Sequence, residues 1–98
     1  MSLLAVFAAL ALSTDAASVA TDRDYVQLAR CSGLAAGAGQ DASVFEARMG
    51  DRAAKPIQLR RQADQARDQA RLMMRRGDET ARAPLHAELT GRCAALTR

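Results

Sequence analysis

The chain has 98 residues, with 14 basic against 11 acidic side chains for a net charge of +3, two Cys, one His and no Trp. That length allows one domain, and so few large apolar side chains exclude a core that is ample by itself. The longest apolar run, Leu3–Leu12, is ten residues, too short to cross a bilayer.

Residues 1–20 read as a cleavable signal peptide. Leu3–Leu12 has the length of an apolar h-region, and Ser18-Val19-Ala20 fits the small-x-small pattern before Thr21, although no Lys or Arg precedes the run. Export places the protein in the periplasm or outside the cell and leaves residues 21–98 as a single helical domain. Only Asp15 among the charged side chains is lost with the leader, which raises the net charge to +4.

The remainder reads as helix throughout, rich in Ala, Arg, Gln, Leu and Met and without period-2 alternation. Thr21-Asp22-Arg23-Asp24 is a capping box opening a helix with Tyr25, Leu28, Cys31, Leu34 and Ala35 on its apolar side. Gly37 is expected to close that helix in the left-handed conformation. Ser43-Val44-Phe45-Glu46 is a second capping box, before a short helix bearing Val44, Phe45 and Met49 and interrupted by Gly50 and then Pro56. Pro56 suits the first turn of a helix running to about Arg76, on which Leu59, Ala63, Ala66, Ala70 and Met73 form a narrow seam that permits close helix approach. Gly77 supplies a stop and Asp78 a new N-cap. The last helix carries Leu85, Leu89, Cys93 and Leu96 in one stripe. Pro84 either kinks it or marks its start, and Gly91 weakens it by roughly 1 kcal/mol.

Each cysteine thus lies in the core-facing stripe of a terminal helix. In an up-down-up order the first and last long helices run parallel, so Cys31 and Cys93 meet and form a disulfide, which an exported compartment permits. The fold class is therefore all-α, a small three- to four-helix bundle stapled by one disulfide. Other uses of Cys31 fit less well. The stretch "LARC" resembles a lipobox, but that pattern wants a small residue where Arg30 stands and a Cys directly after the apolar run. Redox cycling wants C-x-x-C, and a metal centre would have to be built from Cys31, Cys93 and His86 alone. No metal or cofactor is expected.

Catalysis is not expected either, because no nucleophile, base and orienting group stand in a recognisable arrangement around the single His86. Asp64 and Asp68 share a helix face, but Arg60, Arg67 and Arg71 beside them point to a solvated salt-bridge ladder. "GLAAGAG" lacks the preceding strand and the Lys of a phosphate loop. From Arg48 to Arg76 there are nine basic residues against three acidic ones, Asp51, Asp64 and Asp68. Arg60, Arg67, Arg71 and Arg75 form the candidate anion-binding set, toward anionic envelope lipid, lipopolysaccharide phosphates or an acidic protein. Nucleic acid is not an expected partner, since no aromatic residue interleaves these arginines. After processing no membrane span is expected. Three functional readings follow: a non-catalytic exported protein working through surface contacts, a binder of anionic envelope components, and a stress chaperone whose thin Ala/Met core opens.

Overall fold

The computed structural model describes residues 21–98; the expected signal peptide, residues 1–20, lies outside the described residues. In chain order the elements are α1 (Asp22–Gly37), α2 (Ser43–Met49), a 3-10 turn (Arg52–Ala54), α3 (Ile57–Arg76), α4 (Glu79–Glu88), a π-helical turn (Leu89–Cys93) and the short α5 (Ala94–Leu96). The fold is the all-α bundle expected from the sequence, stapled by a Cys31–Cys93 disulfide whose Cα atoms lie 5.7 Å apart.

Helix α1 starts as its sequence dictates: the Thr21 hydroxyl accepts from the Asp24 N–H at 3.2 Å, and Asp22 and Asp24 place negative charge in the first turn. It is the central helix, burying Tyr25, Leu28, Ala29, Cys31, Ser32, Gly33, Leu34 and Ala35. Its end differs from expectation. Gly37 remains helical and Gly39 takes the left-handed conformation, with φ +75°. The Gln40 N–H then reaches the Ala35 carbonyl at 2.8 Å and the Gly39 N–H that of Ala36 at 3.1 Å, the two bonds of a Schellman closure.

Gly37 is needed elsewhere. A Cβ on Gly33 would lie 2.1 Å from the Arg67 carbonyl oxygen, and one on Gly37 would lie 2.6 Å from that of Arg71. These two glycines, one turn apart, form a notch that lets the backbone of α3 approach α1. Ala63 and Ala70 of α3 are fully buried in the same core. The two contacts advance together along both helices, so α1 and α3 run parallel, and α2 with the 3-10 turn carries the chain back between them. This corrects the expected up-down-up order, in which the long middle helix ran antiparallel to the first; the contacts of the last helix with α1 also advance together, from Gln27–Glu88 to Cys31–Cys93.

The seam of α3 is corrected at its end. Ala63, Ala70 and Met74 are buried, whereas Met73 is 41% exposed. A strict 3.5-residue spacing drifts about 20° per heptad around a straight helix, and over three turns that transfers the core position from Met73 to Met74. The second capping box also fails. Ala42 is the N-cap of α2 with no side-chain bond, the Ser43 N–H turns to Asp41, and Glu46 accepts the Ser32 hydroxyl at 2.6 Å instead.

Helix α4 begins at Glu79, where the Asp78 carboxylate accepts from the Ala81 N–H at 2.9 Å, and it runs through Pro84, which therefore does not mark its start. Glu79–Glu88 has no buried residue; Leu89 and Cys93 of the π turn attach this arm to the core. In an α-helix each four-residue step drifts about 40°, so Leu85, Leu89 and Cys93 would rotate progressively off the core. The wider π turn takes up that drift. The Thr90 hydroxyl lies over it, donating to the His86 carbonyl at 3.1 Å.

Candidate anion-binding surface

The notch of α1 fixes the rotation of α3 and thereby the fate of each arginine on it. With Ala63, Ala70 and Met74 inward, Arg60, Arg67 and Arg71 lie along one flank, toward α2, and Arg75 lies closer to solvent. The four do not form one open cationic surface.

Arg67 is engaged by tertiary contacts at the half-exposed edge of the core. Its guanidinium contacts Glu46, with Nε 3.1 Å from Oε1 and Nη2 donating to Oε2 at 3.1 Å, and it reaches Asp64 at 3.3 Å. Glu46 also holds the buried Ser32, so Arg67 completes a polar link among α1, α2 and α3. Arg71 meets Asp68 at 3.8 Å with both side chains well exposed, a contact worth a few tenths of a kcal/mol. Arg52 pairs with Asp64, and Lys55 sits 5.3 Å above the ring centroid of Tyr25. Much of the positive run in the sequence is thus neutralised or occupied by tertiary contacts.

A different set is left over. Among the described residues, the arginines of α3 with no carboxylate within 4.0 Å are Arg60, Arg61, Arg75 and Arg76. Arg60 is half-buried, while the other three are exposed. Taking about 100° per residue, Arg61, Arg75 and Arg76 span an arc of about 100° on the side opposite Ala63 and Ala70. Leu72 stands in the middle of that arc and is 40% exposed. The uncharged Gln58, Gln65 and Gln69 share the face, and Asp68 lies within the arc, between Arg75 and Arg61, 3.8 Å from Arg71. Spacing along the sequence does not single out Arg61 and Arg76, although a helical wheel centred on Ala63 and Ala70 places them on the open face.

The disulfide has its own polar collar. Arg30 grips Glu88 with two bonds, Nε to Oε2 at 2.6 Å and Nη2 to Oε1 at 2.9 Å, and the Gln27 amide donates to the same carboxylate at 3.3 Å. The Arg30 hydrogen bonds hold the Glu88 carboxyl below its ordinary range against a smaller opposing effect of burial, and the same contact raises the Arg30 guanidinium. Both sulfurs are consumed by the bond between them and are fully buried, so neither is available as a metal ligand or nucleophile. His86 lines an open cleft on α4 with Glu79, Arg82 and Ala83. Among the described residues no three His, Cys, Asp or Glu side chains gather as a metal site would require. No described helix is long and apolar enough to cross a membrane.

Comparison with family models, with curated proteins and with solved structures finds no match.

Proposed function

We propose that the protein acts without catalysis, through surface contact with anionic groups of the cell envelope, after export to the periplasm or the exterior. The observation that carries this reading is the separation of roles on α3. Arg67 is engaged by Glu46 and Asp64, while Arg61, Arg75 and Arg76 stand exposed with no carboxylate within 4.0 Å among the described residues. The binding set is accordingly Arg61, Arg75 and Arg76, with Arg60 and Arg71 at its margin. A buried disulfide and the lack of a spanning helix among the described residues are compatible with an exported chain.

The test is titration of residues 21–98 with inorganic polyphosphate at low and at near-physiological ionic strength. Binding that weakens steeply with salt is expected, because an exposed charged surface is screened within about 8–10 Å. No binding at low ionic strength would remove the proposal. The chaperone reading keeps one observation in its favour, the absence of buried residues along α4. It requires that acid expansion of the protein suppress aggregation of an unfolded client, and an expanded form that protects no client would end it.

A further inference from the structure

Leu72 occupies a place on α3 that packing does not explain. It points away from the core, at the centre of the arc formed by Arg61, Arg75 and Arg76, and 40% of its surface is exposed. Met73, 41% exposed, lies about 100° around the helix from Leu72, outside the arc. Ile57, 57% exposed at the start of α3, stands one turn before Arg60 and Arg61 and adds a second apolar side chain beside the cations. A soluble polyanion would be satisfied by the arginines alone. A bilayer surface offers both chemistries at once, phosphate oxygens at the headgroup level and acyl carbon immediately beneath.

We infer that the ligand of this face is an anionic lipid surface, on which α3 lies with Arg61, Arg75 and Arg76 at the phosphates and Leu72 inserted between headgroups. The inference rests on the anion-binding reading above and adds to it the identity of the partner. Attachment is peripheral and reversible. Each arginine near an anionic surface strengthens binding about five-fold, and one apolar side chain of this exposure adds about ten-fold. Asp68 stands within the arc one turn from Leu72, 3.8 Å from Arg71, and the three arginines outnumber it; the Asp78 carboxylate accepts from the Ala81 N–H at the start of α4.

The experiment uses residues 21–98 with the disulfide intact and two probes, vesicles of phosphatidylglycerol mixed with phosphatidylcholine and inorganic polyphosphate. Leu72→Ser is expected to lower vesicle partitioning about ten-fold and to leave polyphosphate affinity and the melting temperature unchanged. Arg61→Gln combined with Arg76→Gln is expected to weaken both. Leu72→Trp supplies a second readout, because the chain has no Trp of its own. Its emission should shift to the blue on vesicles and stay fixed with polyphosphate. Equal vesicle binding by Leu72→Ser, or an unshifted Leu72→Trp spectrum on vesicles that do bind, would overturn the lipid assignment and leave the anion reading standing. Failure to bind either probe at low salt would overturn both. Equal binding to vesicles of phosphatidylcholine alone would overturn the role of the arginines.

Discussion

Removal of the Cys31–Cys93 bond is the perturbation with the largest effect that can be worked from this structure. The bridged residues are 62 apart in the chain, and closing a loop of that length takes about 4 kcal/mol of entropy from the unfolded state. A domain of this size has a total stability on the order of 4–12 kcal/mol, so the bond supplies a third or more of it. Both cysteines are fully buried, and reductant reaches them only when the fold opens. The clean comparison is therefore the double variant Cys31→Ala with Cys93→Ala, followed by urea unfolding and thermal melting. A loss of about 4 kcal/mol should appear as a fall in Tm of about 20 °C. A loss under about 1 kcal/mol would refute the loop-entropy argument.

The location of the weakening is also determined by the structure. Glu79–Glu88 has no fully buried residue, and α4 is held through the partly buried Leu85, through Leu89 and Cys93, and through the Arg30–Glu88–Gln27 cluster. The α1–α3 pair is held by its own interdigitation at Gly33, Gly37, Ala63 and Ala70. In the double variant the amides of α4 should exchange with deuterium well ahead of those of α3. Simultaneous exchange of the two helices would show that the bond holds the whole bundle rather than its last arm.

Gly33→Ala should cost at least about 2 kcal/mol in urea unfolding, because the new methyl meets the Arg67 backbone at 2.1 Å and backbone cannot step aside; Gly91→Ala, which opens onto empty space, should cost nothing and can gain up to about 1 kcal/mol. Glu88 titrates lower in the folded than in the unfolded chain, so its contribution is complete above the ordinary glutamate value of 4.5 and is lost as pH falls through the folded value. Glu88→Gln should therefore lower Tm at neutral pH, by roughly 1 kcal/mol of stability, and flatten the acid limb of the Tm–pH curve; an unchanged limb would refute the assignment. Arg61→Gln should weaken polyphosphate binding about five-fold at no cost to Tm, whereas Arg76→Gln should weaken binding similarly and also lower stability by about 0.3–1 kcal/mol, since it removes a cation from the C-terminal turn of α3.

The apolar periodicity of the sequence is sufficient to place Cys31 and Cys93 on inward stripes, and Thr21 and Asp78 to place two helix starts, because those signals are local. What was not legible depended on partners far away in the chain. The spacing of four between Gly33 and Gly37 is visible in "GLAAGAG", but only the approach of α3 makes it a notch rather than flexible linker. Glu46 matched a capping box by spacing, yet Ser32 and Arg67 offered its carboxylate a stronger set of contacts than the Ser43 backbone. The π turn had Thr90 and Gly91 as its only traces. Its cause is the need to keep Leu89 and Cys93 on one line against a core that the sequence does not display.

The same distinction separates the arginines. Spacings of seven, four and four put Arg60, Arg67, Arg71 and Arg75 on one flank of a helix, and spacing alone cannot say that Glu46 and Asp64 wait on that flank. On the solvent face, Arg75 and Arg76 have a structural role available to them, because cations in the last turn complement the helix dipole. Arg61 has none. It lies in the second turn of α3, near an N-terminus whose first turn holds no acidic residue, where a positive charge is mildly unfavourable. It makes no ion pair among the described residues, and it shares its arc with Leu72, whose exposure is likewise unexplained by packing. An unfavourable cation and an uncovered apolar side chain on the same face are reconciled by an external surface that is anionic above and apolar below, which is why Arg61 and Leu72 are the residues that decide the proposal.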